Sequence, residues 1–344
     1  MKIAVYTIAK DEESNVAPFM KTASEADLTV IADTGSTDNT VAEFQKRGVT
    51  PYEIEVKPWD YAVARNVALS FVPDDVDYCV SIDLDETLSE GWRTELERVL
   101  AQEQPDLLSV TWVVPNGESS LTCHKPRIHK RHGMKWFGKI HENLKLENGT
   151  ETTKVKHLEN IYKYHKPDHW NDYSALVDEA IENEPNNPEH RISRVSDHLH
   201  KKEYEQAMEQ IRIYLSITHD TDDPVILQQR SIQMVLVAHC HLTLGHPVNH
   251  IMRWLLRAVG ECPWRRENWV YLAECFLADK NYPSAYAAAT NALSITDKRL
   301  SMVVEEQCWG DHPKQIQNKA WQGMFGAKEE NDGTDRAVAE SSRV

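Results

Sequence analysis

The sequence predicts two unlike domains: an α/β domain on a sheet with helices on both faces, then an all-α domain of helical repeats. Three observations predict this. Short apolar runs alternate with amphipathic stretches over the first hundred residues, the βαβ pattern. From Asp172 onward the apolar residues keep helical spacing almost without a break. Within that second part the pattern repeats, with Ile251 and Ala285 in equivalent places 34 residues apart. The 344 residues fit two domains at about 150 residues each.

Taken in order, Lys2–Ile8 reads as a buried strand and Ser14–Ala23 as the helix after it. Leu28–Ala32 is a second strand. Ser36, Thr37 and Asp38 start a helix over Thr40–Arg47, and Gly48 stops it. Pro51–Val56 gives a third strand, Tyr61–Phe71 a helix, Asp77–Ile82 a strand and Glu90–Ala101 an amphipathic helix. Strands separated by helices pair in parallel, and such sheets bind ligands outside the carboxyl ends of their strands. Those ends are Thr7–Glu12, Asp33–Asp38 and Asp83–Asp85, all polar or acidic. Leu107–Val114 is a further strand, after which the chain is basic and less periodic as far as Leu146.

In the helical part Ala207, Ile251 and Ala285 align as the small residue of a second helix, with Tyr214, Ala258 and Ala292 seven residues later. The 34-residue step is the tetratricopeptide period, and Trp269, Leu272, Ala273 and Phe276 complete the last copy. The first copy is degenerate, 44 residues before the second. The expected organisation is an α/β domain over 1–165, about three helical hairpins over 172–325 and a disordered tail over 327–344 that lacks large apolar residues. An irregular helical bundle is the other fit to the second part.

With 41% hydrophobic and 27% charged residues the chain builds real cores and is not disordered overall. Its formal net charge of −16 argues against a general nucleic-acid coat or a basic membrane-surface protein. Met1–Tyr6 leads directly into a strand without the features of a signal peptide, and no window approaches 18 apolar residues. A cytoplasmic protein without a membrane span is expected. The six cysteines form no C-x-x-C pair, which suits reduced thiols better than a disulfide framework or a zinc cluster.

Asp83-Leu84-Asp85-Glu86 closes the strand before it. Residues two apart on an extended chain point the same way, so Asp83 and Asp85 converge. Two hard oxygen donors suit Mg²⁺ or Mn²⁺ that also holds phosphate oxygens, and such an ion neutralises charge on a diphosphate leaving group. Alone, the D-x-D pattern equally fits an ordinary acidic strand end. Gly35 permits a tight turn before a helix amino end. Arg65 has the fork for a phosphate or a base edge, and Asp33 the oxygens to accept from a base N–H. Each of these alone equally fits a cap, a turn or a surface ion pair.

Together, in this order and spacing, Thr7–Glu12, Asp33–Asp38, Trp59–Asn66 and Asp83–Glu86 resemble inverting family 2 glycosyltransferases of the GT-A fold. The likeness is closest to the bacterial and phage branch that carries tetratricopeptide repeats behind the catalytic domain. A later block, Pro126-Arg127-Ile128 and then Trp136-Phe137-Gly138-Lys139-Ile140-His141-Glu142, looks like that branch's W-x-G-x-x-H-E signature. The resemblance covers about residues 2–165 by motif and 172–300 by repeat pattern, and it specifies neither sugar nor acceptor.

What the resemblance implies is a GT-A-type nucleotide-sugar domain with a Mn²⁺ or Mg²⁺ cofactor and a nucleotide-diphosphate sugar donor, UDP-linked, transferred with inversion. It implies that Thr7, Asp33 and Arg65 hold the nucleotide with Glu12 near them. Asp83 would face the ribose or the metal, Asp85 would ligate the metal, and His141 would add a metal or diphosphate contact. Glu142 is then the expected general base, because inversion needs a group to take the acceptor proton during in-line attack. Asp60 and Asp11 are the next candidates, and a structural His141–Glu142 pair is the other reading. One departure is Ile128-His129, where the family usually shows an aromatic residue followed by Arg.

The acceptor is left open among protein, glycan and modified DNA. The stretch His124–Lys139 holds Lys125, Arg127, Lys130, Arg131, Lys135 and Lys139 and no acid. It reads as a solvated loop that screens the donor diphosphate, or as a groove for a polyanion such as phage DNA with a hydroxymethylated base, or for a lipid phosphate. A polyanion groove predicts activity that falls steeply with salt. His124, His129, His132 and His141 crowd this stretch without the spacing of a zinc site. The repeats would offer a concave face to the acceptor or a protein partner. Two further readings are a repeat-based scaffold with an inert transferase-like domain, and a nucleotidyltransferase. The latter needs a Gly-rich basic loop where Lys10-Asp11-Glu12-Glu13 stands.

Overall fold

The computed structural model describes residues 1–116, 119–150, 155–165, 173–298 and 301–326; the tail expected from 327 lies outside the described residues. The chain divides into two compact units, Met1–Ser193 and Arg194–Val344.

The first unit runs β1 (Ile3–Ala9), α1 (Val16–Ala23), β2 (Leu28–Asp33), α2 (Thr40–Lys46), β3 (Tyr52–Glu53), α3 (Tyr61–Ser70), β4 (Tyr78–Ser81), β5 (Glu86–Leu88) and α4 (Trp92–Leu100). It continues with β6 (Leu107–Asn116), β7 (Ser119–Lys130), β8 (Met134–Phe137), β9 (Asn143–Leu146), β10 (Val155–His165) and α5 (Ser174–Asn183). Alternation along β1 explains the layering. Ile3 and Val5 join Phe19 of α1, Phe44 of α2 and Trp92 and Leu96 of α4 in one core. Ala4 and Tyr6 face the other way, onto Ala68 and Leu69 of α3.

The sheet order is β3-β2-β1-β4-β7-β6-β10-β5. The first four strands are parallel, as the helix alternation predicts. The sheet as a whole is mixed: β7 lies antiparallel between β4 and β6, β6 and β10 are parallel, and β5 returns antiparallel on β10. The link between β6 and β7 is too short for the dozen or more residues that a parallel crossover needs, so the chain turns straight back. Most of the basic stretch read as loop is therefore strand. β8 and β9 form a separate antiparallel ribbon.

In the second part of the chain α6 (Pro188–His200), α7 (Tyr204–Ile217), α8 (Pro224–Thr243), α9 (Val248–Glu261), α10 (Arg266–Ala278) and α11 (Tyr282–Ser294) follow one another, then β11 (Val303–Glu305), α12 (Glu306–Trp309) and α13 (His312–Phe325). The aligned small positions fall on α7, α9 and α11, with Ala207, Ala258, Ala285 and Ala292 fully buried. The long first interval reflects α8, which has 20 residues against 13 in α10. Ala288 and Ala289 of α11 share a core with Leu272 of α10 and Ile316 of α13. Among the described residues no helix is long and apolar enough to cross a membrane.

Candidate active site

The loops after β1 and β2 are tied to each other. Asp11 Oδ1 accepts from Thr37 N at 2.6 Å, Glu12 N donates to Thr40 Oγ1 at 2.7 Å, and Glu13 Oε2 accepts from Asn39 Nδ2 at 3.0 Å. Asp33 closes its own turn: Oδ2 accepts from the backbone N–H groups of Gly35 and Ser36, and Oδ1 from Ser36 Oγ. Gly35 sits at φ +101°, where a side chain is strained. Thr7 is buried in β1, its hydroxyl donating to Ile8 O at 3.1 Å. Asp60 caps α3, accepting from Val63 N at 2.9 Å. Asp11 and Asp60, the reserve candidates for a base, thus each have a structural task.

Arg65, on α3 and only 5% exposed, is the hub. Its Nη2 donates to Asp83 Oδ1 at 2.6 Å and its Nε to Glu142 Oε1 at 2.5 Å. Its Nη1 is buried without a hydrogen-bond partner among the described residues. The guanidinium lies over the Trp136 ring, 5.2 Å from its centre. The next residue, Asn66, locks α3 to β8 by accepting from Trp136 N at 3.0 Å and donating to Trp136 O at 2.9 Å.

Past the end of β4, the carboxylate oxygens of Asp83, Asp85 and Glu86 lie within 4.8 Å of one another. Glu86 is committed on both sides: Oε1 accepts from the buried ammonium of Lys163, and Oε2 from Asp83 N at 3.0 Å. Burial and the neighbouring charges of Asp83, Glu86 and Glu12 push Asp85 up to about 7. Desolvation would raise Asp83 as well, but Arg65, Arg127 and Lys163 outweigh it and hold its carboxyl below the ordinary range. Lys163 is drawn down to about 8 by burial, with Glu86 opposing the shift. The sequence reading missed this lysine. Its signal was its place two residues after Ile161 on an alternating strand, hence on the same buried face.

The signature block is a tight loop. Gly138 has φ +96°, and a Cβ there would stand 3.4 Å from Ile140 O and 3.6 Å from Glu142 Cα. His141 also has positive φ, +51°. Tyr61 N donates to Lys139 O at 3.2 Å, and Ile140 packs with Val177 and Ala180 of α5. The loop thereby turns Glu142 onto Arg65. His141 is exposed and does not join the Asp83–Asp85–Glu86 set.

Along the basic stretch, Lys130 pairs with Asp106, Arg131 with Asp74, and Lys139 with Glu179. Lys125 lies over Trp112 and Arg127 over Trp136, 4.9 and 5.6 Å from the ring centres. The departure at Ile128-His129 is also explained, since both side chains are fully buried. His129 Nδ1 donates to Lys130 O at 2.7 Å, and its Nε2 is 2.9 Å from Tyr6 Oη, which accepts from Trp136 Nε1 at 2.6 Å. This histidine belongs to the sheet core.

Residues 5–159 match the model of glycosyl transferase family 2. An uncharacterized glycosyltransferase of Rickettsia conorii is 32% identical over 107 residues, 30% of this chain and 36% of that protein. A homologous glycosyltransferase of Rickettsia felis is 31% identical over 107 residues, again 30% and 36% of the two chains. The chain thus spans about a third of the length of the curated relatives it matches. Among solved structures, glucosyl-3-phosphoglycerate synthase from Mycobacterium tuberculosis with Mn²⁺ and uridine-diphosphate-glucose is 21% identical, covering 32% of this chain and 43% of that one, at TM-score 0.29. MamA is 12% identical, covering 44% and 76%, at TM-score 0.30. TM-scores this low carry no argument. The match to the family model does, because Arg65, Asp83, Asp85, Glu86 and Glu142 all fall inside the span 5–159 that is similar to glycosyl transferase family 2.

Proposed function

We propose that the chain is a metal-dependent glycosyltransferase that moves a sugar from a UDP-linked donor to an acceptor with inversion. The observation that carries this is the double grip of buried Arg65 on Asp83 and Glu142, beside a cluster in which the carboxylates of Asp83, Asp85 and Glu86 crowd one another. Asp83 and Asp85 fit a hard divalent cation: their oxygens lie close together, while Glu86 is spent on Lys163 and on the Asp83 backbone. Mn²⁺ or Mg²⁺ held there supplies positive charge to the departing diphosphate. Arg65 Nη1, the donor left over, is suited to a phosphate oxygen of the same group. Asp33, Thr7 and Glu12 line the nucleotide end of the strand edges in this reading. Glu142 takes the acceptor proton through Oε2, since Oε1 is fixed by Arg65 Nε. The loop pairing of Asp11 and Glu13 leaves no Gly-rich basic loop, which disfavours a nucleotidyltransferase.

The test is titration of UDP-glucose with and without Mn²⁺, followed by mass-spectrometric detection of donor hydrolysis across a panel of nucleotide sugars. Metal-dependent binding in the wild type and its loss in Asp85→Ala are expected. Glu142→Gln should retain donor binding and lose transfer by about a hundredfold or more. Metal-independent binding indifferent to Asp85→Ala would favour the reading in which the first unit is catalytically inert and the repeats are the working part.

A further inference from the structure

We propose that the turn between α8 and α9 is a binding site for a transition-metal dication of the Zn²⁺ class, built by His241, His246 and His250. It lies in the second unit and is independent of the transferase reading.

Three backbone features bring these residues together. His241 is in the last turn of α8 and almost buried. Gly245, at φ +70°, reverses the chain, and His246 N donates back to His241 O at 2.9 Å. Pro247 caps α9, so His250 falls in its first turn, four residues after His246, with its N–H donating to Pro247 O at 2.9 Å. The ring centres of His241 and His246 are 4.9 Å apart, those of His241 and His250 5.5 Å, and those of His246 and His250 6.1 Å. Imidazoles that share a tetrahedral zinc have centres about 5 Å apart, given metal–nitrogen bonds of about 2.1 Å.

The contact between the first two rings is the informative one. Nδ1 of His241 and Nδ1 of His246 are 2.7 Å apart, so one ring must donate a proton and the other accept it. Once that shared proton leaves, both nitrogens offer lone pairs on the same side of the turn to one cation. As placed, the three rings do not bring one nitrogen each within 4.8 Å of one another, so binding needs the Nδ1 pair to open by less than about 1 Å and the His250 ring to swing toward it. Arg212, whose charge acts on His241, is held by Glu209 at 3.0 Å. An all-imidazole set selects Zn²⁺, Ni²⁺ or Cu²⁺ over the Mg²⁺ or Mn²⁺ that suits the carboxylates of the first unit. His246 and His250 are exposed, which leaves the fourth position open to water or to a partner's side chain.

The experiment uses the full-length chain stripped by chelator and titrated with Zn²⁺ by calorimetry and with Co²⁺ by visible absorption. The wild type, His246→Ala, His250→Ala and Asp85→Ala are compared, with circular dichroism and melting curves to verify folding. One Zn²⁺ equivalent that survives Asp85→Ala, tetrahedral Co²⁺ bands, and at least about tenfold weaker binding in both histidine variants are expected. His250→Asn, which keeps a polar side chain on the helix, should weaken binding as His250→Ala does. No Zn²⁺ uptake, uptake that both histidine variants retain, or uptake lost with Asp85→Ala alone overturns the proposal.

Discussion

Arg65 reaches two acids that stand 18 and 77 residues from it in sequence, and each contact uses a different nitrogen of the same planar fork. A lysine has the charge without the fork. Arg65→Lys should therefore keep one of the two ion pairs and lose a charge-assisted hydrogen bond of about 1.5–3 kcal/mol. In kcat/KM this is about a ten- to hundredfold loss, and transfer at the wild-type rate would show that the double grip is idle. Gly138 makes a different demand, since its φ of +96° is costly for any side chain and a Cβ meets Ile140 O at 3.4 Å. Gly138→Ala should lower stability by about 1–2 kcal/mol. Because the loop ends at Glu142, transfer should fall by more than the melting shift accounts for, as paired activity and thermal measurements would reveal. At this scale the convergence of Asp83 and Asp85 was legible from type and spacing, while Arg65 and Glu142 were singled out through the resemblance of their blocks to the family. Lys163 and Asn66 were not, because their partners Glu86 and Trp136 are reached only through strand and helix packing that no local pattern announces.

Strands β1, β7 and β8 meet at one buried hydrogen-bonded chain, Trp136 to Tyr6 to His129 to the backbone of Lys130. Burial draws His129 down to about 4 from its ordinary 6.5. The folded state thus refuses a proton that the unfolded chain accepts between those two values, and stability falls as pH falls through that window. Across the whole window the loss approaches about 3 kcal/mol. Melting curves between about pH 7.5 and 5 should drop further for the wild type than for His129→Gln; parallel curves would mean that the ring is not buried neutral. The same elements mark where the fold was legible. The four parallel strands were readable because each is flanked by helices with their own starts and stops. β7 was not, because its residues from Ser119 to Arg127 are mostly half-buried on both faces and show no alternation. The three helical hairpins were readable from the buried alanines, which permit close helix approach wherever the period recurs. Helix α5, counted with the repeats on periodicity alone, packs instead behind the signature loop through Val177 and Ala180.

On the scale of the whole molecule, a formal net charge of −16 coexists with a stretch of six cations and no acid. Sequence order made that stretch look like a basic groove, because it could not show which acids other strands and helices bring to it. In the fold, Asp106, Asp74 and Glu179 take three of the six. Lys125 and Arg127 turn toward Trp112 and Trp136, and Lys135 toward Phe137. Among the described residues those three form no ion pair, although the charge of Arg127 already acts on Asp83, so at most three cations of the stretch meet an external phosphate. Each phosphate neutralised on duplex DNA contributes about −0.9 to the slope of log affinity against log salt, so this surface supports a slope no steeper than about −3. The surrounding negative charge weakens any such encounter further. Fluorescence anisotropy of labelled duplex DNA across a salt series measures that slope directly. A shallow slope with weak binding is expected and favours an acceptor that presents one or two anionic groups over a long polyanion. A slope well beyond −3 would mean that the Asp106, Asp74 and Glu179 pairs open on contact, and the groove reading would return with them.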